Sequence, residues 1–164
     1  MRSFAKTFAG FLLGTITFIQ ASCKRADPGI IQFDPVQQIL ESKTWKLTAL
    51  NISPALNGNT DYYNNVMAPC ERDNTYQFTT IYYGLTFFFS EGSLMCSPTD
   101  PQTTNDSWSY EPNSRVLTFK IPNPAPGTTY NMTIQQINDS TFTGRTVEVI
   151  AGNAYTKTWI FEPK

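Results

Sequence analysis

The sequence predicts an all-β domain: an up-and-down barrel of eight antiparallel strands with one short N-terminal helix. Two observations support this prediction. After about residue 43 of the 164-residue chain, the periodic segments alternate apolar and polar side chains with a period of two, which is the pattern of half-buried strands. Short clusters of Asn, Asp, Gly, Pro and Ser separate several of these segments, as is typical of hairpin turns between antiparallel neighbours.

The helix is predicted over residues 35–42. Asp34 is a good N-cap acceptor, and Pro35 suits the first helical position because its missing N–H has no partner there anyway. The apolar side chains that share one face at helical spacing are Val36, Ile39 and Leu40. We expect this face to cover one end of the barrel.

Eight strands are predicted after the helix. They cover residues 45–51, 75–80, 85–91, 106–111, 115–121, 130–137, 141–149 and 156–162. Hairpin turns are predicted at residues 111–114, 138–140 and 151–154, and long loops at residues 52–74, 97–105 and 122–129. Closing into a barrel removes the exposed edges of such a sheet, and a seven- or eight-stranded sandwich is the alternative.

Alternation along the strands assigns one set of side chains to the interior. This set comprises Trp45, Leu47, Ala49, Tyr76, Phe78, Phe87, Phe89, Trp108, Tyr110, Leu117, Phe119, Ile121, Tyr130, Met132, Ile134, Phe142, Trp159 and Phe161. The interior of an eight-stranded barrel is either filled by side chains or holds one small ligand. The candidate ligand-binding residues are Trp45, Phe78, Phe87, Phe89, Trp108, Tyr130 and Trp159, and the alternative is that they only pack the core.

Residues 1–22 have the pattern of a signal peptide. Arg2 and Lys6 precede an uncharged segment at residues 8–19, which is shorter than the roughly 20 apolar residues that a membrane-spanning helix needs. The segment Gln20-Ala21-Ser22-Cys23 then resembles the lipobox of bacterial lipoproteins, although Gln20 stands where that motif usually has Leu. An ordinary secretory peptide cleaved after Ala21 or Ser22 is the alternative.

The resemblance to a lipobox implies cleavage between Ser22 and Cys23 and a diacylglyceryl group on Cys23. Acyl chains then anchor the protein to the membrane of a bacterial cell envelope, and Lys24 after the cysteine favours the outer membrane. Residues 23–33, which contain Pro28-Gly29, are predicted to be the lipidated cysteine and a tether. The barrel domain is predicted over residues 34–164.

Of the three cysteines in the chain, one is predicted to carry lipid and the other two to form a disulfide. With Cys23 assigned to lipid, Cys70 and Cys96 remain as a pair in an oxidising compartment. Cys70 precedes one predicted strand and Cys96 follows the next, so an antiparallel hairpin brings both to the same end of the barrel. We therefore predict a Cys70–Cys96 disulfide, with two buried free thiols as the alternative.

A group of residues gives the chain a family likeness. These are Trp45 in the first strand, then Cys70, Asp73, Thr75, Tyr76 and Phe78 in the pattern C-x-x-D-x-T-Y-x-F, then Cys96 and Trp108. Their order resembles the lipocalin-like domains of bacterial lipoproteins over about residues 39–164. The resemblance implies a small envelope-tethered barrel and no particular activity. It departs from true lipocalins, because Lys43-Thr44-Trp45 replaces their Gly-x-Trp.

Composition argues against several functions. The chain has no histidine, which removes Ser-His-Asp and Cys-His catalysis and the commonest zinc ligand, and it offers no motif for a metal or cofactor. A net charge of −1 without a basic run argues against nucleic acid as a partner. No two of the carboxylates Asp61, Asp73, Glu91, Asp106 and Glu148 stand in a motif for hydrolysis, and Asp100 suits a turn. We therefore expect a protein that is not an enzyme.

The remaining expectation is a membrane-anchored binding module. A small apolar ligand would enter the barrel between the loops at 52–74 and 97–105, since ligand pockets are mostly apolar with a few polar groups. The alternative is a structural or interaction protein of the envelope. It would contact a protein or a glycan through its outer surface and its loop tyrosines, Tyr62, Tyr63, Tyr82 and Tyr83.

Overall fold

The computed structural model describes residues 34–82, 84–121 and 127–164 of the chain. These residues form three short helices and nine antiparallel strands. The elements in chain order are α1 (Pro35–Glu41), β1 (Thr44–Leu56), β2 (Asn59–Asp61), α2 (Tyr62–Asn65), α3 (Pro69–Arg72), β3 (Thr75–Ile81), β4 (Gly84–Ser90), β5 (Thr103–Glu111), β6 (Val116–Ile121), β7 (Thr128–Ile137), β8 (Phe142–Ile150) and β9 (Asn153–Pro163).

Eight of the strands close into an up-and-down barrel. Strands β3 to β9 pair in sequence order, β1 pairs with β3 on one side, and β1 pairs with β9 on the other. The closing ladder runs from Trp45 opposite Pro163 to Ser53 opposite Thr156. Because the first and last strands are paired, the predicted barrel is confirmed and the sandwich is excluded. Strand β2 lies outside this ring and pairs only with the far half of β1.

Helix α1 covers one end of the barrel, as predicted. The Asp34 carboxylate accepts a hydrogen bond from the Val36 N–H at 2.8 Å, and Pro35 occupies the first turn. The helix stops one residue before the predicted end, because Ser42 is its C-cap. Leu40 is fully buried, and its carbonyl accepts a hydrogen bond from the Trp45 indole at 3.0 Å, which fixes the helix to β1.

A β-bulge in β1 makes the predicted inward position of Ala49 wrong. Leu47 pairs with Phe161 and Ala49 with Ile160, so Thr48 is an extra residue on β1. The extra residue shifts the alternation by one position. Leu50 and Ile52 are buried in consequence, each 2% exposed, whereas Ala49 is only partly buried.

The long loop predicted at residues 52–74 is largely regular structure. β1 continues to Leu56, turns through Asn57-Gly58 and pairs Leu56 with Asn59 on β2. Both turn residues have positive φ, 52° and 82°, which Asn and Gly accept most readily in a two-residue hairpin turn. Helices α2 and α3 then lead the chain back to β3.

The predicted hairpin turns at residues 111–114, 138–140 and 151–154 all lie at strand connections. They join β5 to β6, β7 to β8 and β8 to β9. In the second of these, the Asn138 side chain accepts hydrogen bonds from the N–H groups of Ser140 and Thr141 at 2.8 and 3.0 Å.

We predict that Gly144→Ala destabilises the barrel because its β-carbon would overlap Met132. A β-carbon built on Gly144 lies 2.2 Å from the Met132 sulfur, and Met132 is fully buried. Overpacking of this kind costs about 1–3 kcal/mol. Chemical denaturation should give that loss of unfolding free energy.

Gly84→Ala is the matched control, since its new β-carbon meets nothing closer than 3.9 Å. The Gly144→Ala cost should shrink in a Met132→Ala background, because the overlapping atoms are then gone. Equal costs in the two backgrounds would contradict this account.

Candidate functional site

The two ends of the barrel differ in how they are covered. Helix α1 lies at one end, together with the β5–β6 and β7–β8 turns. The other end, which we call the mouth, carries α2, α3, the connection between β4 and β5 and the turn between β8 and β9. The long segments predicted to surround a ligand therefore gather at one end.

The middle of the barrel is filled by aromatic side chains. The ring centroids of Phe78, Phe87 and Phe119 lie 5.1–5.7 Å from one another. Towards the α1 end, Trp45 meets Phe142 edge to face at 5.4 Å. Each of these five residues is at most 1% exposed, so they form a closely packed core.

A cavity of about 270 Å³ lies at the mouth, next to this core. It is lined by Met67, Glu71, Tyr76, Phe89, Ile121, Thr128, Tyr130 and Trp159. Pockets for drug-sized ligands usually enclose about 300–1,000 Å³, so this space suits a small molecule.

The structure divides the seven candidate ligand-binding residues between two environments. Phe89, Tyr130 and Trp159 line the cavity at the mouth. The other four, Trp45, Phe78, Phe87 and Trp108, lie in the packed core. Trp108 contacts Phe78 edge to face at 5.3 Å, and its indole N–H donates to the Thr79 carbonyl at 3.0 Å. The lipidation and cleavage residues Cys23 and Ser22, and the loop residue Tyr83, lie outside the described residues.

Two pairs of rings form the walls of the cavity. Tyr76 on β3 meets Phe89 on β4 edge to face, with centroids 5.6 Å apart. Tyr130 on β7 meets Trp159 on β9 in the same way at 5.3 Å. Such contacts hold the rings in fixed orientations.

The Trp159 side chain is also fixed by a hydrogen bond. Its indole N–H donates to the Thr146 hydroxyl at 2.8 Å, in a buried position on β8. The polar edge of the indole is therefore satisfied within the protein. What Trp159 offers to the cavity is its apolar ring.

Two tyrosine hydroxyls stay protonated at the cavity. Burial, together with the nearby Glu148 and Glu71 carboxylates, raises the pKa of Tyr130 to about 12. Burial raises the pKa of Tyr76 still further, with smaller effects from Tyr130 and Glu71. Because both groups stay neutral, each can donate or accept a hydrogen bond over the whole physiological pH range.

A lysine at the mouth is already engaged in an ion pair. The Lys157 ammonium forms an ion pair with the Glu148 carboxylate and lies 4.4 Å from the centroid of the Tyr62 ring in α2. Lys157 is only 8% exposed. This contact between a cation and a ring attaches α2 to β9 and so holds the cover of the mouth in place.

The segment that carries Glu71 is attached to the barrel by the predicted disulfide, which is confirmed. Cys70 in α3 is bonded to Cys96 in the β4–β5 connection. The neighbouring Glu71 carboxylate accepts a hydrogen bond from the Ala68 N–H at 2.7 Å and so caps α3. The disulfide and the cap thus both fix the N-terminal part of α3.

Asp73 makes a second attachment between the same two segments. Its carboxylate accepts hydrogen bonds from the N–H and the hydroxyl of Ser93 and from the N–H of Leu94, at 2.7–2.9 Å. Burial opposes ionisation, but these hydrogen bonds outweigh it and lower the pKa of Asp73. Position 92 must be glycine here, because a β-carbon on Gly92 would lie 2.5 Å from Asp73.

Sequence reasoning missed five residues of the site. Tyr76 and Ile121 belong to the predicted interior but not to the candidate ligand-binding residues, and Met67, Glu71 and Thr128 lie in predicted loops. The signal for α3 is visible in the sequence, since Pro69 follows Ala68 and Glu71 stands three residues after Ala68. Nothing in the sequence shows that this helix faces the cavity.

Two kinds of feature are missing from the described part of the chain. No group of three or more Cys, Asp and Glu side chains there is arranged to hold a metal ion. Likewise, residues 34–82, 84–121 and 127–164 contain no helix with the length and apolar character needed to cross a membrane.

The described residues form a closed eight-stranded up-and-down barrel with an aromatic cavity at its mouth. No protein-family model matches the chain, and no curated protein matches its sequence.

We predict that replacing both Cys70 and Cys96 with serine lowers stability. Closing a loop with a sequence separation of 26 residues stabilises the folded state by about 3.5 kcal/mol, because it restricts the unfolded chain. Urea denaturation should show a loss of this order.

Adding a reducing agent provides the control. It should destabilise the natural protein and leave the double-serine variant unchanged. An equal effect of the reducing agent on both proteins would show that the disulfide is not its target.

Proposed function

We propose that the protein is a non-catalytic binding module of a bacterial cell envelope, anchored by lipid on Cys23, that binds a small and largely apolar ligand in the cavity at the barrel mouth. The observation that supports binding is the cavity itself. It has a small volume and ring walls in fixed orientations, and its few polar groups are the Tyr76 and Tyr130 hydroxyls, Thr128 and Glu71.

The position of the cavity also supports this proposal. The side chains below it, Phe78, Phe87 and Phe119, are tightly packed, so a ligand would not have to displace the core. The cover above it is attached by a disulfide and by the contact of Lys157 with Tyr62. A site that is formed before the ligand arrives costs little ordering of side chains on binding.

The anchoring part of the proposal rests on the sequence. The charged start, the short apolar segment and Ala21-Ser22-Cys23 together resemble a lipoprotein signal. The disulfide supports an oxidising compartment, since such bonds are rare in the reducing cytosol. The family resemblance to lipocalin-like lipoprotein domains agrees with both parts of the proposal.

A second candidate function is attachment to an envelope protein or glycan through the outer surface. Val147 and Val149 lie on β8 and are 71% and 69% exposed, and Tyr82 in the β3–β4 turn is 93% exposed. Exposed apolar side chains on neighbouring positions of one strand favour contact with a partner. None of these three residues is among the described residues that line the cavity.

We predict that filling the cavity abolishes ligand binding. Thr128 lines the cavity and is exposed, so Thr128→Trp places a large ring in the entrance without disturbing the core. The probe is 3,3-dimethylbutan-1-ol, a small neutral alcohol with a branched alkyl group. Saturation-transfer NMR of the full-length protein in dodecyl maltoside would measure its binding.

The measurement is selective because neither the probe nor the detergent contains aromatic protons. When the aromatic protons of the protein are saturated, the saturation should be transferred to the methyl groups of the bound probe. Thr128→Trp should weaken binding about tenfold or more. Gln136→Trp, an exposed position on the same strand, is the matched control and should bind normally. If the natural protein and both variants transferred saturation to the probe equally, binding in this cavity would be refuted.

Lipid attachment has its own test. We predict that radiolabelled palmitate is incorporated into the natural protein in a bacterial host and not into the Cys23→Ala variant. Cys70→Ser is the control and should keep the label, because only the cysteine at the cleavage site accepts lipid. Label retained after Cys23→Ala would refute the anchor.

A further inference from the structure

We infer that the ligand of the mouth cavity is a small organic cation, an alkylammonium whose alkyl groups contact the ring walls and whose positive charge faces Glu71. This inference rests on the proposed function, since it names the chemical class of ligand for the same cavity. It follows from the rings, from the charges and from the way the polar groups of the mouth are already paired.

The aromatic lining of the cavity favours a cation. Tyr76, Phe89, Tyr130 and Trp159 line the same small space and are held by edge-to-face contacts. The face of an aromatic ring carries partial negative charge, so a cavity enclosed by several rings attracts a cation that is too weakly hydrated to prefer water. Quaternary and tertiary alkylammonium groups fit this description.

The charges supply the second part. Of the described residues that line the cavity, Glu71 is the only one with a charged side chain. Glu71 is exposed and caps α3, so its carboxylate lies at the entrance, where the charged end of a ligand would remain close to water. The charged side chains that act on the Tyr130 hydroxyl, Glu148 and Glu71, are both acidic.

The existing pairing at the mouth supplies the third part. Lys157, the basic residue nearest in sequence to Trp159, is engaged by Glu148 and by the Tyr62 ring. The indole N–H of Trp159 donates to Thr146 and is not available to an anion. An anionic ligand would therefore meet the Glu71 carboxylate and no free ammonium among these groups, whereas a cation would meet aromatic rings and Glu71.

The mouth already stabilises one cation in this way. The Lys157 ammonium is almost fully buried, yet it lies over a tyrosine ring at 4.4 Å and beside a carboxylate. The cavity combines the same two elements, aromatic rings and a carboxylate, without a cation of its own among the described lining residues.

The test compares two probes of nearly identical shape. Choline carries a trimethylammonium group, and 3,3-dimethylbutan-1-ol has the same outline with a neutral carbon in place of nitrogen. Both are measured with the full-length protein in dodecyl maltoside by saturation transfer from aromatic protons. We expect choline to bind about fivefold more tightly, since a contact between a cation and a ring at a site close to water favours binding by this order.

The variant Glu71→Gln tests the role of the carboxylate. Glutamine keeps the capping hydrogen bond to Ala68, so α3 should remain folded. The affinity for choline should fall about threefold to fivefold, while the affinity for the neutral alcohol stays unchanged. Glu162→Gln at the opposite end of β9 is the matched control and should alter neither value.

The outcomes separate the two proposals. If the alcohol binds as tightly as choline, the cation inference is wrong and the proposed binding function stands. If Glu71→Gln weakens the binding of both probes equally, the carboxylate affects binding only by holding the structure of the site, and the inference is again wrong. If neither probe binds the natural protein, both proposals fail.

Discussion

The pairing of β1 with β9 is the interaction on which the rest of the structure depends. Without it, the sheet would have two open edges, and its inward side chains would face water on one side. With it, alternate residues of every strand point to one enclosed axis, so that aromatic rings from distant parts of the sequence meet. The bulge at Thr48 lies within this ladder and turns Leu50 and Ile52 inward, which extends the apolar lining towards the mouth.

The size of the side chains decides where space remains inside the barrel. Three phenylalanines from β3, β4 and β6 occupy the middle and leave little room between their rings. At the α1 end, Leu40 and Trp45 close the interior. At the mouth, the chain supplies short helices in place of another layer of large side chains. The cavity is therefore a consequence of the cover, which contributes Met67 and Glu71 to its lining.

Much of the fold could be predicted from the sequence, because the period of two is a local signal that most of the barrel strands carry. The N-cap at Asp34 is also a local signal, and the pairing of Cys70 with Cys96 follows from the number of cysteines. The bulge could not be predicted, since Thr48 breaks no local rule and is set by its ladder with β9. The cavity could not be located either. Phe89 and Phe87 look equivalent in sequence, yet Phe89 lines the cavity and Phe87 lies in the core, and only the packing of other elements separates them.

The polar groups of the mouth show how a cavity can exist at the end of so apolar a core. A buried lysine and a buried indole N–H would each be costly if unpaired. Here Glu148 and Tyr62 satisfy the first, and Thr146 satisfies the second. These pairings attach β8, β9 and α2 to one another, so the walls stay in place when the cavity is empty. The cavity is then lined by aromatic rings, by the hydroxyls of Tyr76, Tyr130 and Thr128, and by a single carboxylate among the described residues. Under the proposed function, that set would discriminate between ligands by charge as well as by shape.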